Sequence, residues 1–568
     1  MPDISIIFCG SAGQGIQTIE YGLTRILKKA GYYNFATKEY MSRIHGGSNS
    51  SEIRISDHAV SAFVNRIDIL VLLSAETFSH VANRISPDTL IIGACHTLSL
   101  PNKKYAIDFE KSALDLGSKR YASAVVVGFV LAFLKIETSF YDQFFAQYYG
   151  GKSKELAEKN TMAAQAGYQA GVACLTTNAI PFNAKSSADL DNKILLNGSE
   201  ALAFGAIAGG CNFIASYPMS PSTGVLTQLA SLSHEFDIVV EQAEDEIAAI
   251  NMGLGAWYAG GRALVTTSGG GFALMCEGLS LSGMTETPIV ISLGQRPGPA
   301  TGLPTRTEQG DLNLALFAGH GEFPRVILAP GTIEQAFYLM QKAFYLADQY
   351  QIPVIVLSDQ FFVDSYFVSQ KVDPLSMAIH GQHIVKTEAT YQRYQLTADG
   401  ISPRGIPGFG EGLVCVDSDE HTEAGYITES FDIRTKMVQK RLKKLELLQK
   451  EIITPDFFGP EDYKMLLVCW GSNYFVIKEA LELLQYADIG CLHFSQVYPL
   501  SQTVVSYFTR AQKTMVIENN ATGQLAQLLK QQLNVSVNAT LLKYNGMPFS
   551  VEEIVAAIKK YRGENENV

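Results

Sequence analysis

Cysteine is sparse and scattered. The eight cysteines stand at 9, 95, 174, 211, 276, 415, 469 and 491, and no two have the spacing of a metal clip or an iron–sulfur ligand run. A disulfide framework is not expected in a large chain without a secretion signal, so each reads as a small buried hydrophobe. Basic excess is also missing. Lys and Arg total 44 against 56 Asp and Glu, a net charge of −12, which excludes the basic stripe of a nucleic-acid surface. No apolar run approaches the length of a membrane span. The opening "MPDISIIFCGSAGQG" carries an acid where a signal peptide carries basic residues, so a cytoplasmic location is expected. No short-period repeat is present.

What remains is globular. Of 568 residues, 47% are hydrophobic and 18% charged, enough for two to four domains. In the first segment an apolar strand, Ile4–Phe8, runs into a turn with Gly10, Gly13 and Gly15 and then a helical pattern up to Gly31. Strand, glycine turn and helix place backbone N–H groups at a helix start, where a phosphate can be received. The G-x-x-G-x-G spacing is not the dinucleotide fingerprint. A first α/β domain is expected over 1–180. A second, over 190–380, alternates strand patterns ("NFIASYP", "DIVVEQ", "RALVTTS", "PIVISLG", "RVILAP", "PVIVLSD") with helical ones. Such alternation predicts a parallel sheet covered on both faces. A loop-rich connector with a basic amphipathic helix fills 381–459, and a third α/β segment spans 460–562.

Ligands of parallel sheets bind beyond the carboxyl ends of the strands, and four connections of the middle segment have unusual content. "SYPMSPST" has two prolines three residues apart, which forbid helix and make a stiff turn bearing Ser220, Ser222 and Thr223. It could hold an anion or be an ordinary strand-to-helix turn. "EQAEDEIAAINMGLGAWYAGG" crowds Glu241, Glu244, Asp245 and Glu246 at a helix start. The helix dipole accounts for three such acids, and the fourth could be a buried carboxylate serving a ligand. Glu246 leads into small apolar residues and so into shelter from water. "TTSGGGFALMCEGL" strips side chains from Gly269, Gly270 and Gly271, where something must approach the backbone, unless it is a bare tight turn. The long connection "GQRPGPATGLPTRTEQGDL" carries Arg306, whose guanidinium is suited to gripping a carboxylate, although a surface salt bridge is the plainer alternative.

Taken in order and spacing, "YPMSPST", "EQAEDEIAAINMGLGAWYAGGRALVTTSGGG", "LMCEGLSLSGMTETPIV" and "GPATGLPTRTEQGDL" resemble the alpha subunit of the 2-oxoacid:ferredoxin oxidoreductases. "GSAGQGIQTIEYGLTRILKKAG" and "RIHGGSNSSEIRIS" resemble their gamma domain, here fused ahead of the alpha part. The resemblance implies a Rossmann-like gamma domain, a thiamine-diphosphate pyrimidine-binding domain and a transketolase C-terminal-like domain. It implies that Glu246 hydrogen-bonds N1′ of the aminopyrimidine, with Glu244 in reserve. Burial suits that role, because it favours a proton-sharing carboxyl. Ser220 stands where the family presents a threonine to the 2-oxoacid carboxylate. Tyr217, Ser222 and Thr223 would wall the same pocket, and Arg306 would be the charged partner. Gly269, Gly270, Gly271 and Glu277 are the implied cofactor contacts, with Ser-Gly-Gly-Gly where the family commonly reads Ser-Gly-Pro-Gly. Coenzyme A (CoA) would contact the gamma-like domain through Gly10, Gly13, Gly15, Arg43 and His45.

The chain lacks the Gly-Asp-Gly and following Asn used to hold Mg²⁺ and diphosphate, as well as any cysteine cluster. In the family both belong to a beta subunit, which implies that Mg²⁺ and a 4Fe–4S cluster reside there and that the active site is completed by that partner. The implied reaction is CoA-dependent oxidative decarboxylation of a 2-oxoacid, with ferredoxin as electron acceptor. "LPTRTEQGDL" and "HGEFPR" favour 2-oxoglutarate over pyruvate or branched-chain acids. The alternatives are a non-catalytic binding or assembly subunit of the same fold, and another thiamine-dependent enzyme; the latter usually carries both cofactor domains on one chain.

Overall fold

The computed structural model describes residues 3–41, 47–151, 153–176, 182–374 and 384–564. The chain divides into two compact units. One comprises 1–196 with 365–371 and 550–552; the other takes the remainder.

The first unit is built on an eight-stranded mixed sheet in the spatial order Lys104–Ala106, Leu90–Gly93, Ile69–Leu72, Asp3–Ser11, Ser48–Ser56, Tyr33–Glu39, Tyr366–Gln370, Lys193–Asn197. Asp3–Ser11 runs parallel to Ile69–Leu72 but antiparallel to Ser48–Ser56, which in turn pairs antiparallel with Tyr33–Glu39. The opening strand–helix–strand is therefore a split unit with a reversed strand between its two parallel members. Gly15, at φ 78°, turns the chain into the helix Ile16–Lys29. The helix Ala122–Phe133 is apolar on every side and fully buried, as expected of a helix covered all round. It lies so close to Lys154–Leu175 that a Cβ on Gly128 or Gly167 would strike the facing backbone carbonyls. Tyr366–Gln370 is a strand of this sheet, paired through Tyr366↔Ala36 and Phe367↔Phe35, although its sequence lies within the stretch read as the middle domain.

The second unit holds two sheets. The seven-stranded one has the order Gln496–Tyr498, Val326–Leu328, Pro353–Asp359, Ile289–Gln295, Ala263–Ser268, Phe213–Ser216, Val239–Gln242, parallel except for the first, antiparallel member. The five-stranded one has the order Asp456–Phe458, Ile489–Phe494, Met465–Trp470, Lys513–Glu518, Ala539–Leu542, with only its short edge strand antiparallel. In the larger sheet the chain steps outward from Phe213–Ser216 to Val239–Gln242, then crosses back to Ala263–Ser268. That reversal is a topological switch point, and it opens a crevice at the carboxyl ends.

The basic connector helix, Phe431–Leu448, turns part of its charge inward. Lys440 and Lys444 are buried and pair with the two oxygens of buried Glu286, at 2.5 and 2.6 Å.

Candidate active site

Every element of the site leaves a strand of the seven-stranded sheet at its carboxyl end. Two of those strands are stapled at the switch point itself: Ser216 Oγ lies 2.6 Å from Thr266 Oγ1 and donates to the Thr266 carbonyl at 2.9 Å. After Ser216 comes the proline turn. Tyr217 is exposed and Ser220 half-buried. Ser222 is buried and closes the turn, its N–H and Oγ both donating to the Met219 carbonyl at 3.0 and 2.8 Å. Ser222 is thus occupied in holding the loop, while Thr223 begins the helix Thr223–Ser231.

After Gln242 the four acids separate. Glu241 and Glu244 are exposed. Asp245 caps the helix Glu246–Tyr258, accepting from the Ala248 N–H at 2.7 Å. Only Glu246 turns inward, at 3% exposure, and its Oε1 is buried with no hydrogen-bond partner. The glycine turn explains how it fits. A Cβ on Gly271 would lie 2.5 Å from Glu246 Oε1 and also strike Thr267 Oγ1, and a Cβ on Gly269 would lie 2.5 Å from both carboxyl oxygens of Asp311. Gly270 meets nothing nearer than 3.8 Å. Ser268 Oγ and Asp311 Oδ2 are likewise buried and unpartnered. Three buried polar atoms around one glycine turn thus find no partner within the chain, and such groups call for an explanation.

The loop after Gln295 carries the cation. Arg296 donates to the Ser220 carbonyl at 2.7 Å and makes no ion pair among the described residues. Burial pulls its affinity for a proton down, and the charges of Asp311 and Glu246 oppose that. Arg306, the residue singled out from sequence, lies against the 546–547 loop: its Cβ is 3.2 Å from where a Gly546 Cβ would sit, and Met547 Sδ lies 4.0 Å from its Nη1. Sequence reasoning passed over Arg296, although its place directly after the strand Ile289–Gln295 is a readable signal.

The 305–311 segment is clamped. Thr307 N–H donates to the Gly546 carbonyl and Gln309 N–H to the Asn519 carbonyl, at 3.1 and 2.6 Å. The Gln309 side chain donates to the Trp470 carbonyl at 3.0 Å and accepts from Asn473 Nδ2 at 2.9 Å and Asn519 N–H at 3.0 Å. Glu277 is placed elsewhere. It is exposed and borders a separate 200 Å³ cavity with Ser280, His320, Arg434 and Arg441.

In the first unit, Gly13 and Gly15 border a 310 Å³ cavity with Ser11, Lys38, Tyr40 and Asn49. Gly10 lies inside the strand Asp3–Ser11, where a Cβ would meet Gln14 Oε1 at 2.7 Å. Arg43 and His45 lie outside the described residues.

Set beside known proteins, residues 5–170 match the family model described as pyruvate ferredoxin/flavodoxin oxidoreductase. Residues 204–440 match the thiamine-diphosphate-binding model of pyruvate flavodoxin/ferredoxin oxidoreductase. The 2-oxoacid:ferredoxin oxidoreductase subunit alpha of a Sulfolobus species is 32% identical, covering 99% of this chain and 98% of its own length. The chain belongs to the 2-oxoacid:ferredoxin oxidoreductase alpha-subunit family. Within that family, the 2-oxoglutarate synthase subunit KorA of Archaeoglobus fulgidus is 33% identical over 59% of this chain and 89% of its own. Among solved structures, a 2-oxoglutarate:ferredoxin oxidoreductase from Magnetococcus marinus, with 2-oxoglutarate, coenzyme A and succinyl-CoA bound, superposes with a TM-score of 0.90. It is 28% identical, and the match covers 99% of each chain.

The residues present are compatible with the thiamine-diphosphate binding that the 204–440 family model describes, with an orphaned buried carboxyl oxygen facing a glycine that leaves it room. Among the described residues no cluster of three or more His, Cys, Asp or Glu could hold a metal ion, and no helix is long and apolar enough to cross a membrane.

Proposed function

We propose that this chain is the alpha half, with a fused gamma-like domain, of an enzyme that converts 2-oxoglutarate and CoA to succinyl-CoA and CO₂ and passes two electrons to ferredoxin. The observation that carries this reading is one juxtaposition. Glu246, whose buried Oε1 has no hydrogen-bond partner, and Arg296, bonded to the Ser220 carbonyl, both lie at the carboxyl ends of the seven-stranded sheet, within electrostatic reach of each other. The substrate preference rests on the 2-oxoglutarate bound by the M. marinus enzyme and on the name of the Archaeoglobus relative.

In this reading residues 1–180 are the gamma-like domain, 190–380 the pyrimidine-binding domain and 460–562 the transketolase C-terminal-like domain, joined through the 381–459 connector. Glu246 would hold the aminopyrimidine edge of thiamine diphosphate, sharing a proton with it. Thiamine diphosphate, when bound, supplies the carbanion-stabilising chemistry that no side chain offers. Arg296 would take a carboxylate of the 2-oxoacid through two parallel N–H bonds, while its bond to the Ser220 carbonyl fixes the stiff turn so that the Ser220 hydroxyl is aimed before substrate arrives. The Gln309 bonds would keep the segment between Arg306 and Asp311 fixed. A beta-type partner would contribute the diphosphate and Mg²⁺ site and the 4Fe–4S cluster, and CoA would approach the glycine turn of the first unit.

The test is viologen reduction by the chain assembled with its beta-type partner, without oxygen, with CoA and each of 2-oxoglutarate, pyruvate and 2-oxoisovalerate. Activity with 2-oxoglutarate that collapses in Glu246→Gln is expected. An assembled complex reducing viologen with none of the three would leave the binding-subunit reading in its place.

A further inference from the structure

The first unit carries a cavity of 580 Å³ that the proposed chemistry does not use. It lies between the helices Ile16–Lys29 and Ser139–Gly150, and its volume is that of a small-molecule site. It shares no lining residue with the cavity at the glycine turn. The helix Ile16–Lys29 runs about 20 Å from that turn to its last residues, and Lys28 and Lys29, at its far end, line the groove.

Two kinds of side chain meet there. One is aromatic. Tyr21, Phe140, Phe144 and Tyr148 border the groove and are all half-buried. Three of them form a continuous shelf: Phe144 stacks with Tyr148 at 5.6 Å and an interplanar angle of 10°, and Tyr21 lies 5.2 Å from Tyr148. Half-exposed rings around one open groove offer faces on which a planar ligand can stack, and a shelf of three rings suits a bicyclic base.

The other kind is cationic. The Arg25 guanidinium lies 3.4 Å over the centre of the Tyr21 ring and extends the shelf. Lys28 is half-buried and Lys29 exposed, and neither makes an ion pair among the described residues. The helix dipole accounts for lysines in a last turn, but not for the rings beside them. Asp191, on the same groove, is a carboxylate of the kind that accepts from ribose hydroxyls.

We propose that this groove is a binding site for a free purine nucleotide, the base stacking on the Tyr21, Tyr148 and Phe144 shelf and the phosphates meeting Lys28 and Lys29. The site is separate from the place where CoA would be used, and the inference does not depend on the oxidoreductase reading.

The test is calorimetric titration of the full chain with ADP, adenosine and inorganic phosphate. ADP should bind once per chain, at least about tenfold more tightly than adenosine or phosphate, because stacking and charge act together. Lys28→Gln combined with Lys29→Gln should weaken ADP by about tenfold, and Tyr148→Leu by a similar factor, with circular dichroism confirming the fold. Should the Tyr148 variant fail to fold, the lysine variant, altered at the end of the helix, decides alone. No binding of ADP up to about 1 mM, or equal binding by parent and lysine variant, overturns the inference. So does adenosine or phosphate binding as tightly as ADP. CoA has an ADP end of its own, so the titration is repeated with saturating CoA. An ADP affinity unchanged by CoA supports a separate site, whereas displacement of ADP by CoA gives the groove to CoA and overturns the inference.

Discussion

Gly271 and Glu246 are a matched pair: a Cβ on the glycine would lie 2.5 Å from Glu246 Oε1 and 2.6 Å from its Cγ. The buried carboxyl occupies the space a side chain would fill, so the glycine turn and the acid belong to one device. Gly271→Ala is expected to displace Glu246 and lower kcat by about 100-fold, the effect of misplacing a catalytic group by about 1 Å. Steady-state viologen reduction checks this, with circular dichroism confirming the fold.

Glu246→Gln should cost more, about 10²–10⁴-fold in kcat, the usual contribution of a positioned proton-transfer group. The variant should melt no lower than the parent, because Oε1 has no protein partner to lose. A melting curve beside the rate separates loss of chemistry from loss of fold.

The two arginines make opposite predictions. Arg296→Lys removes the planar fork and should raise KM for 2-oxoglutarate by about 10–100-fold, roughly the 1.4 to 2.7 kcal/mol of a charge-assisted bond. Arg306→Ala, at the 546–547 loop, should shift KM far less. Saturation curves for the two variants decide between them, and equal effects would favour Arg306 as a second carboxylate partner.

The connector helix predicts a stability effect. Burial pushes the Glu286 carboxyl up, but Lys440, Lys444 and Arg393 outweigh burial and hold it well below the ordinary carboxylate value of 4.5. The unfolded chain binds a proton there that the folded chain refuses. The stability this contributes is therefore present above pH 4.5 and drains away as the pH falls below it. Glu286→Gln strands buried cations and should cost about 3–5 kcal/mol, seen as lost soluble yield. Lys444→Met keeps the 2.5 Å Lys440–Glu286 pair and should cost less, as thermal melts of the two would show.

Gln309→Ala would leave the Trp470 carbonyl and the Asn519 N–H without their side-chain partner. Each buried group so orphaned costs about 1–3 kcal/mol. A lower melting temperature with a raised KM is the expected pair of readings.

Much of the architecture was legible because it is written in local pattern. Alternating apolar runs and helical periods announced α/β units, and glycine, proline and acid content marked the strand-end loops. Among the four crowded acids, the small apolar residues after Glu246 pointed to the one that is buried, since a helix packed that closely shelters its own first turn. The ordered motifs pointed to the family.

Partner choice was not legible, because it depends on residues far apart in the chain. Nothing local distinguishes Tyr366–Gln370 from a strand of the middle sheet; it joins the first sheet through Phe35 and Ala36. Arg306 and Arg296 both sit in one proline- and glycine-rich loop, and sequence cannot say which guanidinium folds back on Ser220. In the structure Arg296 bonds the Ser220 carbonyl, while Thr307 and Gln309, beside Arg306, bond residues more than 150 positions later. Asp311 shows the same division. Sequence supplies an acid before a helix, and only the packed Gly269 turn shows that it makes no cap bond and turns its carboxyl toward that glycine, leaving Oδ2 buried without a partner.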